Sequence, residues 1–433
     1  MSFDRLRILA RWAVALYAVW GVGWAPVGAL LAAEVPVAQT PLPPADAPAA
    51  GDGLNALSPE ELAEGWILLF DGESLFGWKA ANDADWHVEH GAIVATRGSK
   101  PGLLHTTSQW SDFALKLDFR CEARGNSGVF LRTSPNPPDR PGRYYEFNIA
   151  DWGTNDWPTG SLVHHKKTTE PFDGDDWQSM ELTADGGHFS VTIDGKPALD
   201  FVDPRPLGRG FIGLQWRKGR IEFRNIKLRP LGMKNLFNGK DLTGWKTFPD
   251  QASTFTVTPE GSIHARGGRG ALETEKTYGD FTLQLEVFVG GRGLNSGVFF
   301  RCIPGEMMNG YECQIHNVFK DGDRAKPADC GTGGIFRRQD ARRVMADDFT
   351  WFPMTIHADG KHMACWVAGV QVSDWTDPRE PHANPRNGCR VEPGSIQLQG
   401  HDPTTDLSFR GLRIAELPPR EPAPATPESI PPK

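Results

Sequence analysis

Gly310-Tyr311-Glu312-Cys313-Gln314-Ile315-His316-Asn317 alternates as a strand does. Side chains on a strand have period two, so Tyr311, Cys313 and Ile315 share one face and Glu312, Gln314 and His316 the other. A carboxylate, an amide and an imidazole about 7 Å apart add little to sheet stability, and they point to chemistry instead. An earlier stretch, Tyr144-Tyr145-Glu146-Phe147-Asn148-Ile149-Ala150-Asp151, repeats the pattern with the glutamate kept and the histidine absent.

Outward from this strand, other segments recur in the same order. Phe70-Asp71-Gly72 with Gly77-Trp78-Lys79 returns as Phe237-Asn238-Gly239 with Gly244-Trp245-Lys246. Asp112-Phe113 returns as Asp280-Phe281, and Asn126-Ser127-Gly128-Val129-Phe130-Leu131-Arg132 as Asn295-Ser296-Gly297-Val298-Phe299-Phe300-Arg301. Gln215 matches Gln399, and Phe223-Arg224 matches Phe409-Arg410. The spacing between twins lies between 166 (Glu146 to Glu312) and 186 (Phe223 to Phe409). That period is too long for a solenoid repeat, so each copy is a domain, with extra loop residues in the second.

Both copies read as β. Phe113-Ala114-Leu115-Lys116-Leu117-Asp118-Phe119 and Phe281-Thr282-Leu283-Gln284-Leu285-Glu286-Val287 alternate apolar and polar residues. Turn signals such as Asp185-Gly186 and Asp194-Gly195 separate the strands. Pro59 to Ala63 is at most a short helix. Many short strands per copy predict an all-β chain of two tandem jelly-roll sandwiches, residues 62–231 and 233–417, each with a concave sheet face for binding.

The chain has 433 residues and a net charge of −8, with no Lys/Arg run that would suggest nucleic acid. Arg5, Arg7 and Arg11 precede an uncharged apolar stretch, so residues 1–33 read as a signal peptide, or alternatively an N-terminal anchor, and the rest as exported, periplasmic or extracellular. Residues 34–61 read as a Pro/Ala-rich linker and 418–433 as a disordered Pro-rich tail. No other segment is expected to meet a membrane. Cys302 and Cys313 flank a hairpin-like loop and are a candidate disulfide, which an exported protein permits. No cysteine spacing suits zinc.

Parity groups the candidate site. Asn295, Gly297, Phe299 and Arg301 share one strand face, Glu312, Gln314 and His316 the next, and Gln399 and His401 a third, followed by Asp402. Such a set offers a base, an anion-stabilising cation and hydroxyl-binding amides. His316, His401 and a carboxylate also suit a divalent metal, and no other cofactor is implied. In the first copy Asn126, Arg132, Glu146 and Gln215 persist, whereas His316 and His401 are replaced by Ala150 and Arg217. The second copy is therefore expected to be catalytic and the first a binding or degenerate one. Its His164-His165 stands where the second copy has Arg337-Arg338. Most of the fifteen Trp are expected in the core, with Trp152 and Trp157 as candidates for sugar contacts.

Phe-Asn-Gly-Lys-Asp-Leu-Thr-Gly-Trp at 237–245, Asn-Ser-Gly-Val-Phe-Phe-Arg at 295–301, Gly-Tyr-Glu-Cys-Gln-Ile at 310–315 and Gln399-Gly400-His401 together resemble the 3-keto-disaccharide hydrolase domain family. The resemblance covers both copies. It implies concanavalin A-like jelly rolls and chemistry on a glycoside already oxidised at sugar C3. His401, His316, Glu312 and Arg301 would be catalytic. Asn295, Gln314, Gln399, Asp402 and Arg337 would bind substrate, as would Asn126, Arg132, Glu146 and Gln215 in the first copy. The segment from Asp321 to Arg343 would cap the site. Two other readings stand beside this one. One is a non-catalytic carbohydrate-binding protein. The other is a retaining glucanase, which needs two carboxylates about 5 Å apart.

Overall fold

Strand alternation carries through to the layers. In Phe113–Cys121, Phe113, Leu115, Leu117 and Phe119 are buried while the residues between them are partly exposed. The computed structural model describes residues 53–420 except 139–141, 173 and 175. The signal or anchor at 1–33, most of the 34–61 linker and the tail beyond 420 lie outside the described residues.

The chain forms two tandem all-β jelly-roll sandwiches, each an eight-stranded sheet packed on a five-stranded one. In the second sandwich the five-stranded sheet runs Trp245–Thr247, Gly270–Thr274, Ser395–Gly400, Ser296–Cys302, Tyr311–Ile315 in spatial order. The first sandwich repeats this order with Trp78–Ala80, Gly102–Thr106, Phe211–Lys218, Asn126–Thr133 and Tyr145–Ala150. The repeated Gly-Trp is an anchor in both. Trp78 Nε1 donates to the Leu69 carbonyl at 2.5 Å and Trp245 Nε1 to the Leu236 carbonyl at 2.9 Å.

Folded chain reaches back before residue 62. Asn55 exchanges hydrogen bonds with Asn225 at 2.6 and 2.8 Å. Ser58 caps the helix Pro59–Glu64 with a reciprocal bond from Glu61, which shields two amides that would otherwise lack partners.

The sandwiches share an interface. Trp366 of the second packs into the core of the first, and its Nε1 donates to the Leu68 carbonyl at 2.9 Å. Arg209, almost fully buried, pairs with Asp280 at 2.7 Å and Asp359 at 3.5 Å. Arg342 pairs with Asp71 at 2.6 Å. A cleft of about 600 Å³ lies along this junction, lined among others by Trp110, Thr282 and Pro418.

The expected Cys302–Cys313 disulfide is absent, and all six cysteines are free. Cys313 packs in the core between the two sheets, whereas Cys302 sits with Phe299 and Met308 on the opposite face of its sheet. The sulfur facing Cys313 is that of Cys365, at 3.2 Å.

Candidate active site

One extra residue decides what the Asn-Ser-Gly strand presents. Phe299 is paired with Gln397 and Cys302 with Ser395, so three steps on one strand meet two on the other. This is a β-bulge, which resets the facing of later side chains. Arg301 is the bulged residue, at φ +49°. The expectation that it shares a face with Asn295 and Phe299 therefore fails. Its guanidinium is fully buried and bonds to the Asp280 carboxylate at 2.7 Å, to the Gly279 and Arg390 carbonyls at 3.2 and 3.3 Å, and to the Gly360 carbonyl. Arg132 does the same in the first sandwich, binding Asp112 at 2.8 Å and the Ser111, Gly186 and Leu207 carbonyls. Two repeated motifs, Asp-Phe and the terminal Arg of Asn-Ser-Gly-Val-Phe-x-Arg, are thus one structural clamp.

On the five-stranded sheet of the second sandwich lies a cavity of about 350 Å³, within the range of small-molecule sites. Of the expected residues, Asn295, Glu312, Gln314, Arg337, Gln399 and His401 line it. His316 does not; the strand ends at Ile315, and the His316 ring nitrogen Nδ1 sits 3.0 Å from the Ala328 carbonyl. A metal site built on His316 with His401 has no geometric support, and among the described residues no cluster of three potential ligands forms one.

Glu312 lies at the bottom of the cavity. Opposite, Gly297 leaves room for it, since a Cβ there would fall 2.8 Å from Oε1. This steric need explains the glycine of Asn-Ser-Gly. Among the described residues nothing donates to or pairs with the Glu312 carboxylate. Burial pushes its pKa up to about 7, Asp329 pushes the same way, and Arg386 and Arg337 oppose.

Around Glu312 the amides are only partly used. Asn295 Nδ2 donates to Asp329 at 2.7 Å, and Gln314 Nε2 donates to the Asp329 carbonyl at 3.2 Å. Gln314 and Gln399 are buried, and each leaves its Oε1 without a partner. Buried acceptors of this kind are costly unless a ligand satisfies them. His401 Nδ1 lies 2.9 Å from Asp402, whose own bonds from Thr404 and His401 hold its carboxyl down at about 2. Asp402 orients His401 and is not among the lining residues.

Five lining residues escaped the sequence reading: Arg269, Met308, Asp329, Phe336 and Arg386. Arg386 reaches over the Phe299 ring, 5.8 Å from its centroid, and donates through Nε to the Met308 carbonyl at 3.2 Å. A signal did exist. Tyr311 and Tyr145 each donate to an aspartate, Asp377 or Asp203, and accept from a backbone amide, Arg390 or Leu207. Aspartate and amide are four residues apart in the first copy (203 to 207) and thirteen in the second (377 to 390). Arg386 belongs to that enlarged loop. Asp329 and Arg337 come from the enlarged segment after Ile315, which partly matches the expected cap at 321–343.

The first copy's counterparts are arranged differently. Glu146 lies over Gly128 as Glu312 lies over Gly297, and a Cβ at Gly128 would fall 2.9 Å from the Glu146 Oε1. Tyr144, at the position of Gly310, packs its ring on Phe130 at 4.7 Å between centroids. Asn126 and Gln215 sit on the same sheet, Gln215 with its Oε1 unpartnered. Trp152 is 44% exposed, while Trp157 is half-buried beside His164.

Among solved structures, a candidate glycosyl hydrolase from Parabacteroides distasonis is similar at 23% identity, over 41% of this chain and 99% of its own, with a TM-score of 0.36. The carbohydrate-binding module CBM66 from Bacillus subtilis is similar at 18% identity over 35% of this chain and 94% of its own, with a TM-score of 0.29. Among curated proteins none matches the sequence. A family model of the 3-keto-alpha-glucoside-1,2-lyase-like domain matches residues 65–229 and again 232–415, and the chain therefore belongs to that domain family, in two tandem copies.

Proposed function

We propose that the protein is a carbohydrate-active enzyme that cleaves 3-keto-glycosides by elimination and hydration at the second-sandwich cavity. The observation that carries this is Glu312: a buried, unpaired carboxylate at the bottom of a cavity, with a pKa of about 7. A base of that strength is half-ionised at neutral pH and suits removal of a proton acidified by a neighbouring ketone. His401, His316 and Glu312 all stood as catalytic candidates in the sequence; the environment of Glu312 favours the carboxylate as base.

In this reading Glu312 takes the C2 proton and the electron pair moves onto the C3 oxygen as an enolate. Arg386 and Arg337, which already act on the Glu312 charge, stabilise that oxyanion. The enolate reverts to ketone as the C1–O bond breaks, and the departing oxygen takes a proton from His401, oriented by Asp402. Water then adds at C1 of the enone and a proton returns to C2, which gives net hydrolysis. Gln314 and Gln399 accept bonds from sugar hydroxyls. The reading includes action outside the cytoplasm, supported by the Arg5–Arg11 and apolar pattern of residues 1–33.

A second reading, a conventional glycosidase, is favoured by one observation: Asp329 lines the same cavity as Glu312, so two carboxylates are available. Against it, Asp329 is already held by Asn295 and Gln314. Product analysis with a 3-keto-glucoside and with the unoxidised glycoside separates the two. Cleavage of the keto-sugar alone is expected, and cleavage of the unoxidised glycoside alone would overturn the elimination reading.

A further inference from the structure

The cavity is charged at both ends. Glu312 pairs across strands with Phe299, which pairs with Gln397, and Arg337 and Arg386 lie at this level. At the other end Gly270 pairs with Gly400, which puts the next residues, Arg269 and His401, side by side at the cavity wall. Gln397 and His401 are four steps apart, roughly 13 Å, and the Glu312 carboxylate leans from the first level over Gly297, level with Gln399 and roughly 7 Å short of the second. That is room for a second sugar unit beyond the one over Glu312.

His401 is matched by Asp402 at 2.9 Å. Arg269 is exposed and, among the described residues, has no carboxylate partner. Pro101 takes its place in the first copy, where Gly102 and Gly270 are the matching next residues. Between the two ends Gln314 and Gln399, 1% and 6% exposed, aim unpartnered acceptors into the same space. The cavity is thus built to hold a polar ligand along its length, with an uncompensated guanidinium beside His401, on the side where the leaving group would lie. A guanidinium so placed binds carboxylate or another oxyanion through paired N–H donors.

We propose that this site prefers 3-keto-glycosides whose leaving group carries an anion, and that Arg269 is the residue that selects it; the proposal rests on the reading of the cavity given above. The test compares two 3-keto-disaccharides that differ only at the reducing end, one free and one oxidised to the aldonate. Wild-type protein is expected to favour the acid about tenfold in kcat/KM at low salt, mainly through KM, and less as salt rises. In Arg269→Gln the preference falls to near one, and in Arg269→Lys part of it returns. No preference in the wild type, or an undiminished one in Arg269→Gln, overturns the proposal. If neither keto-sugar is cleaved, the elimination reading fails, and calorimetric titration with the unoxidised aldobionate and its neutral parent still decides anion recognition. Tighter binding of the acid, lost in Arg269→Gln, upholds it; equal binding of the two sugars overturns it.

Discussion

The first sandwich keeps Glu146 over Gly128 and the second keeps Glu312 over Gly297, so the bottom of the two sites is the same. What differs stands above. In the first, Tyr144 covers Phe130. In the second, Gly310 replaces that tyrosine, and two enlarged loops bring Asp329, Arg337 and Arg386 around the glutamate. A Cβ at Gly310 would fall 2.5 Å from the Cys302 sulfur and 2.6 Å from the Phe300 carbonyl, so the close approach of the two strands there depends on that glycine. The comparison teaches that the shared glutamate is a feature of the scaffold, and that in the proposed reading it is the enclosure built by the second copy's loops that lets it serve as a base.

The sharpest way to break this comparison is to neutralise each glutamate. Glu312→Gln is expected to lower kcat on a 3-keto-glycoside by about 10³-fold, while Glu146→Gln leaves turnover close to wild type. The reverse pattern would move the active site to the first sandwich.

The arginines are predicted to behave alike in both copies. Arg301→Gln removes a fully buried guanidinium and leaves Asp280 with Arg209 as its remaining partner, and Arg132→Gln removes the arginine that pairs with Asp112. Loss of one partner of a buried pair costs about 3–5 kcal/mol, measurable as a lower urea midpoint. A fall in kcat for Arg301→Gln with unchanged stability would restore Arg301 to the chemistry.

Glu312 should also leave a mark on stability. Its folded pKa, about 7, stands above the unfolded carboxylate value. Between those two values the folded state holds a proton that the unfolded state has lost. Stability associated with Glu312 is therefore full at low pH and is lost as pH rises through 7, by about 3 kcal/mol. Glu312→Gln removes that loss, so the variant should be more stable than wild type at pH 8 and nearly equal to it at pH 4. Urea unfolding at the two pH values measures this; equal effects at both would deny the raised pKa.

The smallest expected effect is steric. Gly297→Ala puts a methyl 2.8 Å from Glu312 Oε1 and displaces the carboxylate. A loss of about 10- to 100-fold in kcat is expected, in line with misplacement of a reacting group by about 1 Å. Gly128→Ala crowds Glu146 in the same way and should not affect turnover.

Much of the fold was legible because its signals are local. Alternation gave the strands, and in-order twins such as Phe70/Phe237 and Glu146/Glu312 gave the duplication. Parity also placed Glu312, Gln314, Gln399 and Asn295 on one cavity, because unbroken strands preserve it. It misplaced Arg301 because a one-residue bulge cannot be seen in a single strand's pattern; it appears only in the register with Ser395–Gly400. His316 was misplaced because the strand ends one residue before it. Arg269 and Arg386 were invisible to parity because neither lies on a strand. The widened spacing between twins marked the loop that holds Arg386, without saying which of its residues would face inward.

The central claim, that Glu312 is the base of an elimination on keto-sugars, is tested most directly by the pH profile of kcat/KM for a 3-keto-glycoside. The rising limb should have its midpoint near 7, persist in His401→Ala and vanish in Glu312→Gln. A rising limb that survives in Glu312→Gln and disappears in His401→Ala would contradict it and make the histidine the base.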